Sequence, residues 1–421
     1  MASHSVHSPA ADEERSWAGD FDPFSDPEER RVLFAAFDSF RQYRRTAHFN
    51  TTHRRRKAFY ALPSAHWQML AEPPFSVLDS FNKVDDAIDT NAEIAEAILA
   101  VGLESFGLDA DPDPNDPSRN WHGTAKGTDV NKAHSTIRQF YRDWSAEAQP
   151  ERDVCYGPVL DDLRTEFETQ RTAGEQIRVL VPGAGLGRLV FDICMAGYAA
   201  EGNEISYHQL LASSWVLNHT EGPQKHPLFP FALHFSNLQS RAQQLQRIAI
   251  PDIHPGTAMA QATAATTTGP DQQQPLGAMS MSAADFVVLY TQPTNQAAFH
   301  AVATVFFIDT APNLIRYIEA IRHCLRPGGL WINVGPLLWH FEDGHDQHPR
   351  KADAQAAEDG PGIGEPGTVE LTAEEVLSLV ERMGFRVEQR AVERPLCGYI
   401  QDRASMLQNL YRPEHWVARK L

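Results

Sequence analysis

Cysteine is scarce. There are four in 421 residues, Cys155, Cys194, Cys324 and Cys397, scattered with no CxxC pair and no metal-ligand spacing. That argues against a disulfide scaffold or a zinc module, so no metal is expected, and it points to a reducing compartment, cytosolic or nuclear. Long apolar runs are missing too. The longest clean one, near AVATVFFI, is far too short to cross a bilayer, and the opening MASHSVHSPAADEERS has no apolar signal-peptide core, so no membrane role is expected. Basic charge is in short supply, 37 Lys and Arg against 55 Asp and Glu, for a formal net charge of −18. Such a field repels a phosphate backbone and argues against nucleic acid as a partner. No GxxxxGK followed by Ser or Thr occurs, which excludes a P-loop NTPase.

What is present is the composition of a globular chain, 42% hydrophobic and 22% charged. Residues 1–25 are polar and Pro-containing and read as a disordered tail. Residues 26–130 read as a helical region (VLFAAFDSF, AEIAEAILAVGL) ending in an Asp/Pro/Asn-rich linker. One basic run, Arg41 to Lys57, is open to two readings, an acidic partner or a solvated helix face. From residue 131 the pattern changes. His134 to Phe167 reads as two helices, and then strand-like IRVLVP, YAAEGNE, AVATVFFID and LWINVGPL alternate with helical GRLVFDICMAG, SYHQLLASSWVLNH and APNLIRYIEAIRHCL. Alternation of this length implies a doubly wound, Rossmann-like α/β sheet, extended by helical TAEEVLSLVERMG and strand-like FRVEQRAV and HWVARKL. Two low-complexity stretches, 256–277 and 343–367, read as exposed insertions. His345 and His348 in the second are expected to be ordinary loop histidines.

The chemistry begins at VLVPGAGLGRL, where a buried strand breaks into Gly183, Gly185 and Gly187. Bare glycine backbone lets a ligand lie close and tolerates positive φ. Dinucleotide sites space their glycines GxGxxG, but here the third glycine arrives one residue early. Glu204, closing the second strand, is placed to accept hydrogen bonds from ribose hydroxyls. NAD and S-adenosylmethionine both carry such a ribose. The tight GxGxG after proline favours the second, and the first stays open. Asp285 and Phe286, in SAADF, stand where an adenine would be hydrogen-bonded and flanked, although an Asp before an apolar run is also a common cap.

Several runs together, STIRQFYRDWS with ERDVCY, LVPGAGLGRLVFDICMAGYAAEGNE, HFSN, VFFIDTAPNLIRYIEAI and RPGGLWINVGPLLWHFED, resemble the carnosine N-methyltransferase family over roughly Ser135 to Leu421. The resemblance implies a seven-stranded methyltransferase sheet preceded by helices. It implies S-adenosylmethionine as methyl donor and the dipeptide carnosine as acceptor, methylated on its imidazole to give anserine. It assigns Gln139, Arg142, Gly183, Glu204, Asp285 and Phe286 to the cofactor, beside Gly185 of the same loop. Asp309, His340 and Tyr399 fall to the acceptor, with Asp309 taking the ring N–H, His340 orienting the acceptor and Tyr399 closing the pocket. Without it, Asp309 in IDTAPN reads equally well as a helix cap. Another histidine-containing peptide or protein as acceptor, a nicotinamide oxidoreductase and a non-catalytic binding module remain alternatives, and a homodimer is one assembly the resemblance allows.

Overall fold

The computed structural model describes residues 23–268, 276–340, 367–391 and 395–421. They divide into two units, residues up to Ile137 with Ala232–His234, and Arg138–Phe231 with Phe235–Leu421.

The first unit is helical: α1 Pro27–Arg41, α2 Tyr43–His48, a π-helical turn Phe49–His53, α3 Arg54–Tyr60, α4 Ser64–Ala71, α5 Val77–Ser105 and the start of α6 Gly127–Trp144. Asp26 caps α1 by accepting the N–H groups of Glu28 and Glu29, and Pro27 opens the helix with its φ already set. Helix α1 buries Leu33, Phe34, Phe37 and Phe40, and α5, paired with it, buries Phe81, Val84, Ile88, Ala92, Ala95 and Ile98 at three- and four-residue spacing. The basic run falls on α1 to α3. Within it, His48 bonds Asp85 through Nδ1 at 2.9 Å and Asp89 through Nε2 at 2.8 Å.

The second unit holds the sheet. Its elements are the end of α6, α7 Gln149–Cys155, α8 Gly157–Thr172, β1 Arg178–Pro182, α9 Arg188–Met195, β2 Ala199–Glu204, α10 Tyr207–Asn218, β3 His226–Leu228, α11 Arg241–Gln244, β4 Ile248–Ile250, α12 Pro255–Thr268, β5 Met279–Ala283, α13 Phe286–Tyr290, β6 Phe299–Val305, α14 Leu314–Cys324, β7 Leu325–Gly335, α15 Ala373–Arg382, β8 Phe385–Arg390 and β9 Glu414–Lys420. Seven strands run in the order β5-β2-β1-β6-β7-β9-β8, and β3 pairs with β4 apart from them. The first five are parallel, while β9 inserts antiparallel between β7 and β8. Val179 and Val181 of β1 pack with α8 and α9 on one face, and Leu180 packs with Phe286, α14 and α15 on the other. Burial on both faces is why the strand reads as an unbroken apolar run.

The structure differs from the sequence reading in three places. Where two helices were expected before β1 there are three, because Pro150 and Pro158 each sit in a first helical turn and restart the chain. The first part of the insertion read at 256–277 is helical, within α12 (Pro255–Thr268), whose alanines favour helix in spite of their low complexity. Just beyond, MSMSA forms edge strand β5 against β2, carried by sheet pairing rather than by β-propensity. Residues 1–22, the second insertion through residue 366 and its histidines lie outside the described residues. Among the described residues no helix is long and apolar enough to cross a membrane.

Burial alone would lower the pKa of His48, but Asp89 and Asp85 hold it above its ordinary value, with Arg44 and Arg56 on the same two carboxylates. A raised histidine contributes stability below its unfolded pKa of about 6.5 and loses it as pH rises through the folded value. Hydrogen exchange at the α5 amides, corrected for intrinsic rates, should therefore show a free energy of opening that falls from pH 6 to pH 9. His48→Gln should flatten that fall, and equal slopes in both proteins would contradict the assignment.

Candidate active site

The glycine loop leaves β1 at the carboxyl end of the parallel strands, where doubly wound sheets place their ligands. Gly183, Gly185 and Gly187 have φ of +66°, +57° and +78°. All three also face close neighbours, a Cβ on Gly187 lying 3.1 Å from the Leu217 side chain. A Cβ on Gly183 would lie 2.5 Å from the Phe307 ring, and one on Gly185 would lie 3.0 Å from Nε2 of Gln139. From the next strand end comes Glu204, whose Oε2 accepts the Gly185 N–H at 2.9 Å and whose Oε1 accepts those of Ile205 and Ser206, each at 2.9 Å. Burial pushes its pKa up, against the three N–H bonds that favour the charged form. The amide of Gln209 lies within 2.9 Å of Oε2 and within 2.9 Å of Gln139, covering the rest of the carboxylate.

Helix α6 ends beside this loop with Gln139, Arg142 and Asp143, all buried. The Arg142 guanidinium is enclosed by three rings, with its carbon 4.4 Å from the centre of Tyr399, 5.3 Å from Phe306 and 5.5 Å from Tyr156. Burial opposes its charge, but the surrounding Tyr156, Tyr399 and Asp143 hold its pKa well above the ordinary arginine value. Its nearest carboxylate oxygen among the described residues, Oδ1 of Asp143, is 3.9 Å away, outside hydrogen-bond reach. Arg188, the first residue of α9, fastens the assembly by donating to the main-chain oxygen of Asp143 at 3.0 Å and to Asp252 at 2.7 Å. Arg152 donates to Asp252 at 2.8 Å and to the Arg142 carbonyl at 2.7 Å, while the Trp144 indole donates to the Leu186 carbonyl in the loop at 3.0 Å.

Asp285 and Phe286 follow β5. Oδ1 of Asp285 accepts the N–H groups of Val287 and Val288, so the cap reading describes its geometry here. The Phe286 ring is 5% exposed and packs against Phe307, Tyr290 and Tyr317.

Beyond β6, Asp309 sits in a 3-10 turn, Ile308–Thr310, and is 1% exposed. It is not the cap of α14, a role taken by Asn313, which accepts the Ile315 N–H at 3.1 Å. Oδ2 of Asp309 accepts the Leu338 N–H at 2.9 Å, and its main-chain oxygen accepts that of His340 at 3.2 Å. Oδ1 is buried with no partner among the described residues. Burial raises its pKa, against the Leu338 N–H and the nearby His340. His340 is exposed, and Tyr399, with 39% of its surface open, lies between the Arg142 cage and solvent. Phe306, Trp339 and Ile400 have φ of 52°, 47° and 55°, a left-handed backbone that bulky residues rarely adopt. Each is within three residues of Asp309, His340 or Tyr399. Each is also tied down: Phe306 N–H to Val334, the Trp339 indole to Leu371, and Ile400 N–H to Glu151.

The structure thus brings Gln139, Arg142, Gly185, Glu204 and Tyr399 together directly. Phe307, against Gly183 on one side and Phe286 on the other, precedes the turn that carries Asp309. Sequence reasoning missed Asp143, Tyr156, Phe306 and the Arg188–Asp252–Arg152 tie. Asp143 lay inside the quoted RQFYRDWS run, but nothing in its spacing marks it.

A family model described as carnosine N-methyltransferase matches residues 119–421. The chain is 34% identical over 396 residues to the carnosine N-methyltransferase of Schizosaccharomyces pombe, covering 94% of this chain and 97% of that protein. It is 32% identical over 392 residues to the mouse carnosine N-methyltransferase, covering 93% and 86%. A solved magnesium protoporphyrin IX methyltransferase from Synechocystis aligns over 68% of this chain and 94% of its own at 11% identity and a TM-score of 0.33.

Gly183→Ala forces a Cβ onto Phe307 at a positive φ. It should cost about 1–3 kcal/mol of unfolding free energy in chemical denaturation. An unchanged midpoint would mean that the loop is not held as described.

Proposed function

The chain belongs to the carnosine N-methyltransferase family, and from that premise we propose that it transfers a methyl group from S-adenosylmethionine to an imidazole nitrogen of carnosine, giving anserine and S-adenosylhomocysteine. The observation that carries the acceptor half is Oδ1 of Asp309, a buried carboxylate oxygen without a partner among the described residues, at the carboxyl end of the sheet. A buried acceptor left unmatched is costly, and an imidazole N–H is the kind of donor that satisfies it.

The residues present fit the methyl donor. Arg142 keeps its charge in an aromatic cage with no carboxylate in hydrogen-bond reach among the described residues, which suits the carboxylate of a methionine moiety. The backbone of Gly183 and Gly185 would lie against the chain that joins it to the sugar. Glu204 would hold the ribose hydroxyls, and the Gln209 amide beside it, being a side chain, can swing aside where main-chain N–H groups cannot. When bound, S-adenosylmethionine supplies a methyl group already activated on a sulfonium.

What remains for the chain is alignment, charge stabilisation and exclusion of water. By accepting one ring N–H, Asp309 fixes the acceptor's tautomer and aims the other nitrogen's lone pair away from itself. As that nitrogen is alkylated the ring becomes cationic, and the carboxylate, preorganised by the Leu338 N–H, stabilises the new charge without reorganising. His340, whose main chain bonds to that of Asp309, stands at the rim to orient the dipeptide. Tyr399, packed on Arg142, closes the boundary between the two substrates. Membership in this family leaves the nicotinamide reading without support.

The test is incubation with methyl-labelled S-adenosylmethionine and carnosine, and separately with cell lysate. Label is expected on the dipeptide, and label confined to macromolecules would contradict the carnosine assignment. Asp309→Asn should lower kcat about 100-fold or more while the affinity for S-adenosylhomocysteine changes little. NMR of the wild-type product should show a single N-methyl isomer, and a mixture would contradict orientation by Asp309.

A further inference from the structure

Asp143 is a buried carboxylate that the reaction described above does not use. It is 2% exposed and follows Arg142 in the chain. Its Oδ1 accepts the Tyr156 hydroxyl at 3.0 Å, and Oδ2 receives only a long 3.4 Å contact from Nε2 of Gln139. Neither neighbouring arginine forms a hydrogen-bonded ion pair with it. Nε of Arg142 is 3.9 Å from Oδ1, and Arg188 bonds only the main-chain oxygen of Asp143, giving its other donors to Asp192 and Asp252. A carboxylate so deeply buried is costly unless a cation pairs with it.

Its direction is informative. A methyl group built on Gly185 would lie 3.8 Å from Oδ2 of Asp143 and 3.0 Å from Gln139. A ligand lying on the bare backbone of Gly185 therefore meets both side chains. Beside this carboxylate stands its complement, the caged guanidinium of Arg142, which likewise has no hydrogen-bonded carboxylate among the described residues. Two opposite charges, adjacent and each incompletely matched, form the mould of a zwitterion.

The geometry points to Asp143 as the residue that binds the α-ammonium group of the methionine moiety, with Arg142 taking the α-carboxylate. This rests on the cofactor reading given above and deepens it. A neutral head group then completes both ion pairs at once. A ligand with the carboxylate alone leaves Asp143 buried and unmatched, so the site selects sulfonium donors that carry an intact amino acid. A purely structural role, in which Asp143 only anchors Tyr156 behind Arg142, makes no such distinction between ligands.

Calorimetric titration of the full chain separates the two. The probes are S-adenosylhomocysteine and its deamino analogue, in which hydrogen replaces the ammonium and the carboxylate stays. Wild type is expected to bind S-adenosylhomocysteine roughly 10-fold or more tighter than the analogue. Asp143→Asn should abolish that preference by weakening S-adenosylhomocysteine alone, and Tyr156→Phe, which removes the hydroxyl bond but keeps the carboxylate, should retain it. Equal weakening of both ligands by Asp143→Asn overturns the proposal. So does equal affinity of the wild type for the two, a result that needs no variant to fold. Wild-type binding to neither ligand removes the cofactor reading and this proposal with it, whereas equal binding to both removes the proposal alone.

Discussion

The site depends on a hydrogen bond from the Gly185 N–H to a buried carboxylate, that of Glu204, at 2.9 Å. A carboxylate is tolerated out of water only when donors surround it. Here three main-chain N–H groups supply them: one from the loop after β1 and two from the residues after β2. The bond therefore fixes how the two strand ends meet, beside the pairing of Pro182 with Asn203 and the Ala184 N–H on the Asn203 carbonyl. It also fixes the bend, which needs φ of +57° at Gly185. Once the bend is set, α9 begins at Arg188, and that arginine reaches Asp252 and the end of α6, bringing Gln139, Arg142 and Asp143 to the loop.

The acceptor side is built differently. Its three named residues lie in irregular backbone, next to Phe306, Trp339 and Ile400 in left-handed conformations that cost of the order of 1–3 kcal/mol each. Such backbone persists only where its surroundings over-determine it. Here those are the Val334 carbonyl, the Leu371 carbonyl and the Glu151 carboxylate. The cofactor side thus draws its order from a sheet and helix ends, and the acceptor side from strained turns pinned to them. Arg142 joins the two, because the rings around it come from α7–α8 (Tyr156), the end of β6 (Phe306) and the loop of Tyr399.

Much of the cofactor side was legible in the sequence, because it is local: a strand, three glycines and an acid at the next strand end leave a fixed spacing. The strands β1, β6 and β7 were legible from their mainly apolar, buried runs, and β2, which carries Glu201, Asn203 and Glu204, from its place in the strand–helix alternation. The helix α12 and strand β5 were not, since alanine, serine and methionine in a low-complexity stretch carry no periodicity, and β5 exists through its pairing with β2. Asp309, His340 and Tyr399 were named only through the family resemblance. Nothing in IDTAPN separates an N-cap from a buried acceptor, and the difference appears once Asn313 is seen to cap α14. The Arg188–Asp252–Arg152 tie joins residues 64 and 100 positions apart, and separations of that size leave no mark on a local pattern.

The most direct measurement of the central claim is equilibrium binding of S-adenosylhomocysteine compared with its 2′,3′-dideoxy form, which keeps everything but the two ribose hydroxyls. With Glu204 as the ribose anchor, the loss of both hydroxyls should weaken binding roughly 100-fold, because the buried carboxylate then gains no partner for the Gln209 amide it gives up. Equal affinity for the two would contradict the account.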